Sequence, residues 1–243
     1  MLSKITKKKI FKIIDLGIHP FADTFIDKKN FNKKEPLYRL SCYLCKVSGC
    51  IHNSIITSDK KRYNLFDYSY TSSNSKFSRN YWNLYSKKIS KILNKRSKIL
   101  EIGSNDGYLL KNFKINKFRV LGVDASKFMA RIAIKNGVET IPKIFNYNNS
   151  KTIKSKYGLM DCVIANNVLN HSNNPLDFVK GVKNLVAKNG IFIFELPYWV
   201  SMIKSKKIDQ IYHEHITYFT LKFSKWLTSQ CGMEIFDFYK TSY

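Results

Sequence analysis

The sequence predicts an α/β protein: a mostly parallel sheet with helices between its strands, preceded by a small module rich in turns. Three observations lead there. From Lys98 onward, short apolar runs alternate with stretches of helical periodicity, the pattern of a parallel sheet. The first of these runs opens into a loop, Gly103–Gly107 (GSNDG), that precedes a helical stretch. Ahead of residue 75 the chain changes character, with short elements, turn residues and a cluster of Cys42, Cys45 and Cys50. Residues 1–74 are therefore read as an N-terminal module and residues 75–243 as the core.

Taken in order, Ser75–Asn94 reads as a helix with Tyr81, Tyr85, Ile89 and Ile92 on one side. Strands are expected at Lys98–Ile102, Arg119–Val123, Val138–Ile141, Met160–Ala165 and Gly190–Glu195, each an apolar run of strand length. Helices are expected at Tyr108–Phe113, Lys127–Asn136, Pro175–Val186 and Leu221–Gln230, and Met233–Tyr239 reads as a last strand.

Composition narrows the function. No run reaches the ~18 apolar residues of a membrane span, because Glu195 and Pro197 interrupt the longest, Gly190–Met202. The basic N-terminus is followed by no apolar h-region or cleavage site, so no secretory signal is read and a cytoplasmic location is expected. The net charge of +25 rests mostly on scattered lysines, with only six arginines. Specific base readout relies on arginine, so nucleic-acid binding is not the favoured reading. An attraction for anionic small molecules such as a nucleotide diphosphate suits the charge better. Cys162 and Cys231 sit in apolar contexts and read as buried small hydrophobes. For the N-terminal cysteines a metal knuckle is a better reading than a disulfide framework.

The segment Lys98–Leu110, KILEIGSNDGYLL, carries the cofactor argument. Glycines there allow a ligand close to the backbone. Asp124 ends the next strand, where a carboxylate can accept hydrogen bonds from ribose hydroxyls. A dinucleotide would require G-x-G-x-x-G beside its pyrophosphate. Here Glu101 precedes the loop and Asp106 lies within it. Two carboxylates would repel a pyrophosphate but suit a cofactor bearing an amino group and a sulfonium, S-adenosylmethionine. The candidate cofactor contacts are Glu101, Gly103, Asn105, Asp106, Gly107, Asp124 and Asn166.

The segment Ile211–Phe219, IYHEHITYF, is the second chemical feature. Its histidines are two apart, which excludes the H-E-x-x-H zinc helix. On a strand His213 and His215 would share one face.

With these segments in hand, the chain resembles the S-adenosylmethionine-dependent sugar C-methyltransferases of deoxysugar biosynthesis. The resemblance runs through Asp15–Ile26, Glu35–Cys45, Tyr68–Ser73, Glu101–Leu110, Asn166–Val179 and IYHEHITYF, in that order and spacing. It implies a zinc-binding N-terminal domain, a Rossmann-like class I methyltransferase core and a C-terminal domain that completes a nucleotide-sugar site. It also implies methylation at carbon 3 of a nucleotide-linked 4-keto-deoxysugar. Tyr212, Glu214 and His215 fall on the family's catalytic loop, His171 on its second active-site histidine and Tyr70 on a substrate-contacting tyrosine. A carbon beside a ketone must lose a proton before it attacks a methyl group, which needs a base such as histidine. The expected roles are His215 as base, His171 and Tyr212 as donors to the enolate, and Glu214 fixing the imidazole tautomer. An O- or N-methyltransferase and a non-catalytic remnant are the alternatives.

Two departures from the family stand out. Its zinc site uses two C-x-x-C pairs, and here Cys42–Cys45 is taken as the second, with Ser3 and Thr6 roughly where the first would lie. Hydroxyls are not usual zinc ligands, so a metal-free knuckle competes with a zinc site on Cys42 and Cys45. The chain also stops at Tyr243, right after Met233–Tyr239. The last antiparallel strand and the C-terminal domain are expected to be missing, with the sugar side left open. A natural truncation, half of a split enzyme and a fragment all remain readings; in the second, a separate chain supplies the missing part.

Overall fold

The computed structural model describes residues 1–22, 28–32, 34–54 and 71–241. It contains two sheets. The first is antiparallel and is built from β1 (Phe11–His19), β2 (Tyr38–Leu44), β3 (Ile51–Asn53) and a short strand from far along the chain. Helix α1 (Lys76–Ser90) follows, capped by Ser75, whose hydroxyl accepts the Ser78 amide. Trp82, Tyr85 and Ile89 form its buried face, while Ile92, expected on that face, lies past the helix end and is exposed.

The second sheet is the predicted parallel one. In chain order it comprises β4 (Lys98–Ile102), α2 (Tyr108–Ile115), β5 (Arg119–Asp124), α3 (Lys127–Lys135), β6 (Thr140–Pro142), α4 (Tyr147–Tyr157), β7 (Met160–Asn166), α5 (Pro175–Leu185) and β8 (Val186–Glu195). The strand order is β6-β5-β4-β7-β8, all parallel. Ile99, Leu100, Val163 and Ile164 are fully buried, because helices cover both faces of a parallel sheet. Gly122 of β5 is required by packing: a Cβ there would lie 2.5 Å from the Ser104 hydroxyl and 2.6 Å from that of Thr140.

Helix α6 (Trp199–Lys204), strand β9 (Thr217–Tyr218) and helix α7 (Leu221–Ser229) complete the ordered elements. β9 pairs with β3, so the antiparallel sheet takes its fourth strand from the far side of the parallel sheet in sequence. Among the described residues no helix is long and apolar enough to cross a membrane.

The expected strand Met233–Tyr239 does not form. The segment runs on from α7 without ladder partners among the described residues, and its Phe236 and Phe238 are exposed. The cause is pairing: a strand exists by virtue of its neighbour. The outer edge of β8 pairs with no other strand among the described residues, and a groove of about 1610 Å³ separates it from residues 232–241. The tail is held instead by side chains, with the Lys88 ammonium 3.4 Å from the centre of the Tyr239 ring.

Candidate active site

The carboxyl ends of the parallel strands converge on one edge, where α/β proteins bind ligands. Glu101 lies opposite Gly122 of β5 and Ile164 of β7, and Asn166 ends β7 opposite Glu195 of β8. The loop after β4 turns through left-handed backbone at Gly103 (φ 74°), Asn105 (φ 50°) and Gly107 (φ 77°). At Gly103 a Cβ would also lie 3.0 Å from Val168. Both the conformation and the close approach therefore call for glycine.

Asp124 accepts the Asn105 amide and the Ser126 amide, each at 2.8 Å. Burial raises its pKa against the pull of those two amides. Glu101 is raised further, first by burial and then by the neighbouring Asp106 and Asp124 carboxylates. Its Oε2 has no hydrogen-bond partner among the described residues. Asp106 and Asn105 have structural duties. Asp106 accepts from the Ser73 amide at 3.1 Å, the Ser73 hydroxyl at 2.5 Å and the Tyr108 amide at 3.2 Å. Asn105 accepts from the Ser72 amide at 3.0 Å. Together they tie residues 72–73 to the loop.

Half of the buried side-chain atoms without a hydrogen-bond partner among the described residues lie at this edge. Besides Glu101 Oε2 they include Ser104 Oγ, Asn166 Nδ2 and both amide atoms of Asn170. The other amide atom of Asn166 accepts the Tyr85 hydroxyl at 3.1 Å. Native proteins satisfy nearly all buried polar groups, so a cluster of orphans marks where a polar ligand belongs. A cationic amino acid–nucleoside cofactor fits this donor and acceptor set, with Glu101 and Asp124 supplying negative charge and Asn166 and Asn170 amide contacts. A hollow of about 250 Å³ lies alongside, lined by Gly103, Ala125, Phe145, Val168 and His171 among others. His171 lines this hollow and the large groove as well, so it stands where the two meet.

The HEH segment is a turn, not a strand. Tyr212–His215 closes with the His215 amide on the Tyr212 carbonyl at 3.2 Å, and the strand begins only at Thr217. The two histidines consequently diverge. His213 packs against Phe21 and Tyr38, with Nε2 3.2 Å from the Tyr38 carbonyl. His215 faces the groove: Nδ1 lies 2.9 Å from the Gln210 carbonyl and Nε2 2.8 Å from the Tyr212 hydroxyl. A carbonyl can only accept, so Nδ1 carries the proton and Nε2 presents its lone pair to Tyr212. The Gln210 carbonyl thus fixes the tautomer, the duty expected of Glu214, which lines the groove instead. Burial pushes the pKa of His215 down to about 4, so the ring is neutral at neutral pH. The His171 ring lies 5.0 Å away, centre to centre, edge to face. Tyr70 lies outside the described residues.

Glu195 and Tyr81 belong to this edge but were not among the expected site residues. They share a short hydrogen bond, and burial raises the pKa of Glu195. The signal was present in the sequence: a lone carboxylate at the end of an apolar strand, equivalent to Glu101 at the end of β4.

The structure sets Cys42 and Cys45 apart and brings no further ligands to them among the described residues. Cys42 lies within β2 and packs beside Tyr218 with Leu40 and Ile51. Cys45 begins the turn beyond that strand and receives a hydrogen bond from the Thr6 hydroxyl. The two thiols serve different environments, and no three His, Cys, Asp or Glu side chains converge among the described residues.

Comparison with known proteins bears on the family and the fold. Residues 77–237 match the family model described as "Methyltransferase domain". The chain is 34% identical over 139 residues to the C-methyltransferase NovU of Streptomyces niveus, a match covering 57% of this chain and 33% of that protein. A crystal structure of a SAM-dependent methyltransferase from Archaeoglobus fulgidus shares the fold. It superimposes with a TM-score of 0.53 at 14% identity, covering 71% of this chain and 72% of that one. The complex between the Haloferax volcanii Trm112 methyltransferase activator and a methyltransferase gives a TM-score of 0.50 at 13% identity, covering 63% and 69%. The parallel five-stranded core, the glycine loop and the acidic strand ends therefore belong to a member of the methyltransferase-domain family, with the α/β fold of the class I S-adenosylmethionine-dependent enzymes.

Proposed function

We propose that the chain carries out carbon methylation of a nucleotide-linked 4-keto-deoxysugar, at the carbon beside the ketone. The observation that carries this reading is the Tyr212–His215 pair, with its tautomer fixed on Gln210 and His171 beside it at the junction of hollow and groove. Oxygen and nitrogen acceptors carry lone pairs that can attack a methyl group, whereas a carbon acid must first be deprotonated. A neutral imidazole with its lone pair directed at a phenol is equipped for that step.

Tyr212 and His215 act here as one base. The carbon-bound proton passes to Nε2, directly or through the Tyr212 hydroxyl, while Nδ1–H stays on the Gln210 carbonyl. The resulting imidazolium sits among buried groups, so the proton is held only while the enolate is near. His171 donates to the enolate oxygen. S-adenosylmethionine, when bound, supplies an electrophilic methyl group. Glu101, Asp124, Asn166 and Asn170 hold and orient the donor, so that the transfer is largely a matter of placement. The strong positive charge of the chain draws in the nucleotide diphosphate. The edge of β8, unpaired among the described residues, and the groove beside it suit a further strand from a complementary polypeptide, which would close the sugar side.

The test separates deprotonation from transfer. In heavy water, with no methyl donor, the protein should exchange deuterium into the carbon beside the ketone of a 4-keto nucleotide sugar. With the donor added, the product should gain a carbon-bound methyl group by mass and NMR. A methyl group found on oxygen or nitrogen, with no exchange, defeats the reading.

A further inference from the structure

The N-terminus holds two turns of the same spacing, joined by a hydrogen bond. In the first, Ser3–Thr6, the Ser3 hydroxyl accepts the amides of Ile5 at 3.1 Å and Thr6 at 3.0 Å. In the second, Cys45–Ser48, the Thr6 and Ser48 hydroxyls and the Val47 and Ser48 amides around the Cys45 sulfur lower its pKa against the burial that would raise it. The Thr6 hydroxyl crosses from one turn to the other and donates to Cys45 Sγ at 3.5 Å. The second turn closes with the Gly49 amide on the Cys45 carbonyl at 2.8 Å, at a glycine in left-handed backbone. The Ser48 hydroxyl also accepts the Cys50 amide at 3.2 Å. Ser3, Thr6, Cys45 and Ser48 are all buried, at 1%, 6%, 0% and 0% exposure.

Two facing turns, each with side-chain donors at its first and fourth residues, form the frame of a structural metal knuckle. Only one of these four positions carries a thiol, and Ser and Thr hydroxyls are not usual zinc ligands. Cys50 adds a second thiol near Cys45, yet no third ligand joins them among the described residues. The frame is nonetheless closed, because each turn satisfies its own amides and Thr6 bridges the two.

We propose that hydrogen bonds among Ser3, Thr6, Cys45 and Ser48 hold this knuckle where a metal ion would otherwise sit. The module therefore folds without zinc, and cysteines placed at the three hydroxyl positions would reopen a site of four thiolates. This inference is independent of the proposed reaction.

Cobalt(II) titration of the purified full chain tests it, because tetrahedral thiolate coordination has distinctive visible absorption and sulfur-to-metal charge-transfer bands. The native chain should show neither band, and its melting temperature should not change between zinc-containing buffer and chelator. The S3C/T6C/S48C variant should bind one cobalt per chain with both bands, and zinc should displace it. A native chain that binds stoichiometric metal and melts earlier in chelator overturns the inference. So does a folded triple variant that takes up no cobalt. Thr6→Val, assayed in metal-free buffer, guards against a variant that fails to fold. Removing the bridging hydroxyl should lower the urea midpoint, and an unchanged midpoint counts against the bonded knuckle.

Discussion

Ser3, Thr6, Cys45 and Ser48 in the N-terminal turns find their partners in and beside those turns, whereas Glu101, Ser104, Asn166 and Asn170 at the strand ends keep buried atoms without a hydrogen-bond partner among the described residues. Both clusters are polar and largely buried, so burial alone does not separate structure from function. The difference lies in satisfaction. A closed set of hydrogen bonds contributes stability, and leaving one member out is costly. An open set costs stability in the free protein and recovers it when a ligand arrives. Substitutions in the closed set should therefore damage folding, while those in the open set should damage binding or turnover and leave the fold intact.

The largest departure is expected at His215. His215→Ala should lower turnover by about 10²–10⁴-fold, the range for loss of a general base, with cofactor affinity by calorimetry unchanged. Next comes Glu101→Gln, which should weaken S-adenosylmethionine binding by about 1.5–3 kcal/mol, the worth of a charged hydrogen bond. Its effect on the free protein has the opposite sign. The raised pKa of Glu101 means that the folded chain binds a proton the unfolded chain has released. Stability therefore falls as pH rises from the usual carboxylate range through the folded value. Melting temperatures against pH should show that decline in the native chain, and Glu101→Gln should flatten it. His215 works in the other direction: with its pKa lowered to about 4, its contribution is lost as pH falls from 6.5 toward 4.

Smaller effects sharpen the contrast. Tyr81→Phe removes the hydrogen bond to the half-buried Glu195 carboxylate and should cost about 1–3 kcal/mol in urea unfolding, the penalty for an unsatisfied buried acceptor. Tyr85→Phe removes only the bond to Asn166 and should cost about 0.5–1.5 kcal/mol. A Tyr85→Phe chain that also lost most of its cofactor affinity would show that the closed and open sets are not separable at this helix.

The parallel core was legible because its strands are apolar on both faces and its helices are amphipathic. Lys98–Ile102 and Leu221–Gln230 were placed almost to the residue. Helix α4 was missed because YNNSKTIKSKY offers only Ile153 as a buried apolar side chain; its start rests on Asn146, whose side chain accepts the Asn149 amide. Met233–Tyr239 has a strand's composition but no neighbour, and composition cannot supply one. In the site, the acidic strand ends could be read from position, since an isolated carboxylate at the end of an apolar run is costly without a purpose. The turn at Tyr212–His215 could not, because its shape depends on contacts with β2 and β3. Spacing alone also did not show that Cys42 and Cys45 part: the strand carries Cys42 into a separate cluster, and the turn starts at Cys45.

The segment that carries His215 is suspended between the two sheets. The Asn53 side chain donates to the Tyr212 carbonyl at 3.1 Å, β9 is stitched to β3, and Phe219 bridges to Tyr198 after β8. Thr220 and Lys222 then reach back to the carbonyls of Gly49 and Lys46 in the second turn. Loosening the N-terminal turns thus slackens the moorings of the imidazole some 170 residues away in the chain. Heating should consequently erode turnover before the parallel sheet begins to melt, with the first losses read in rate and only later ones in ellipticity.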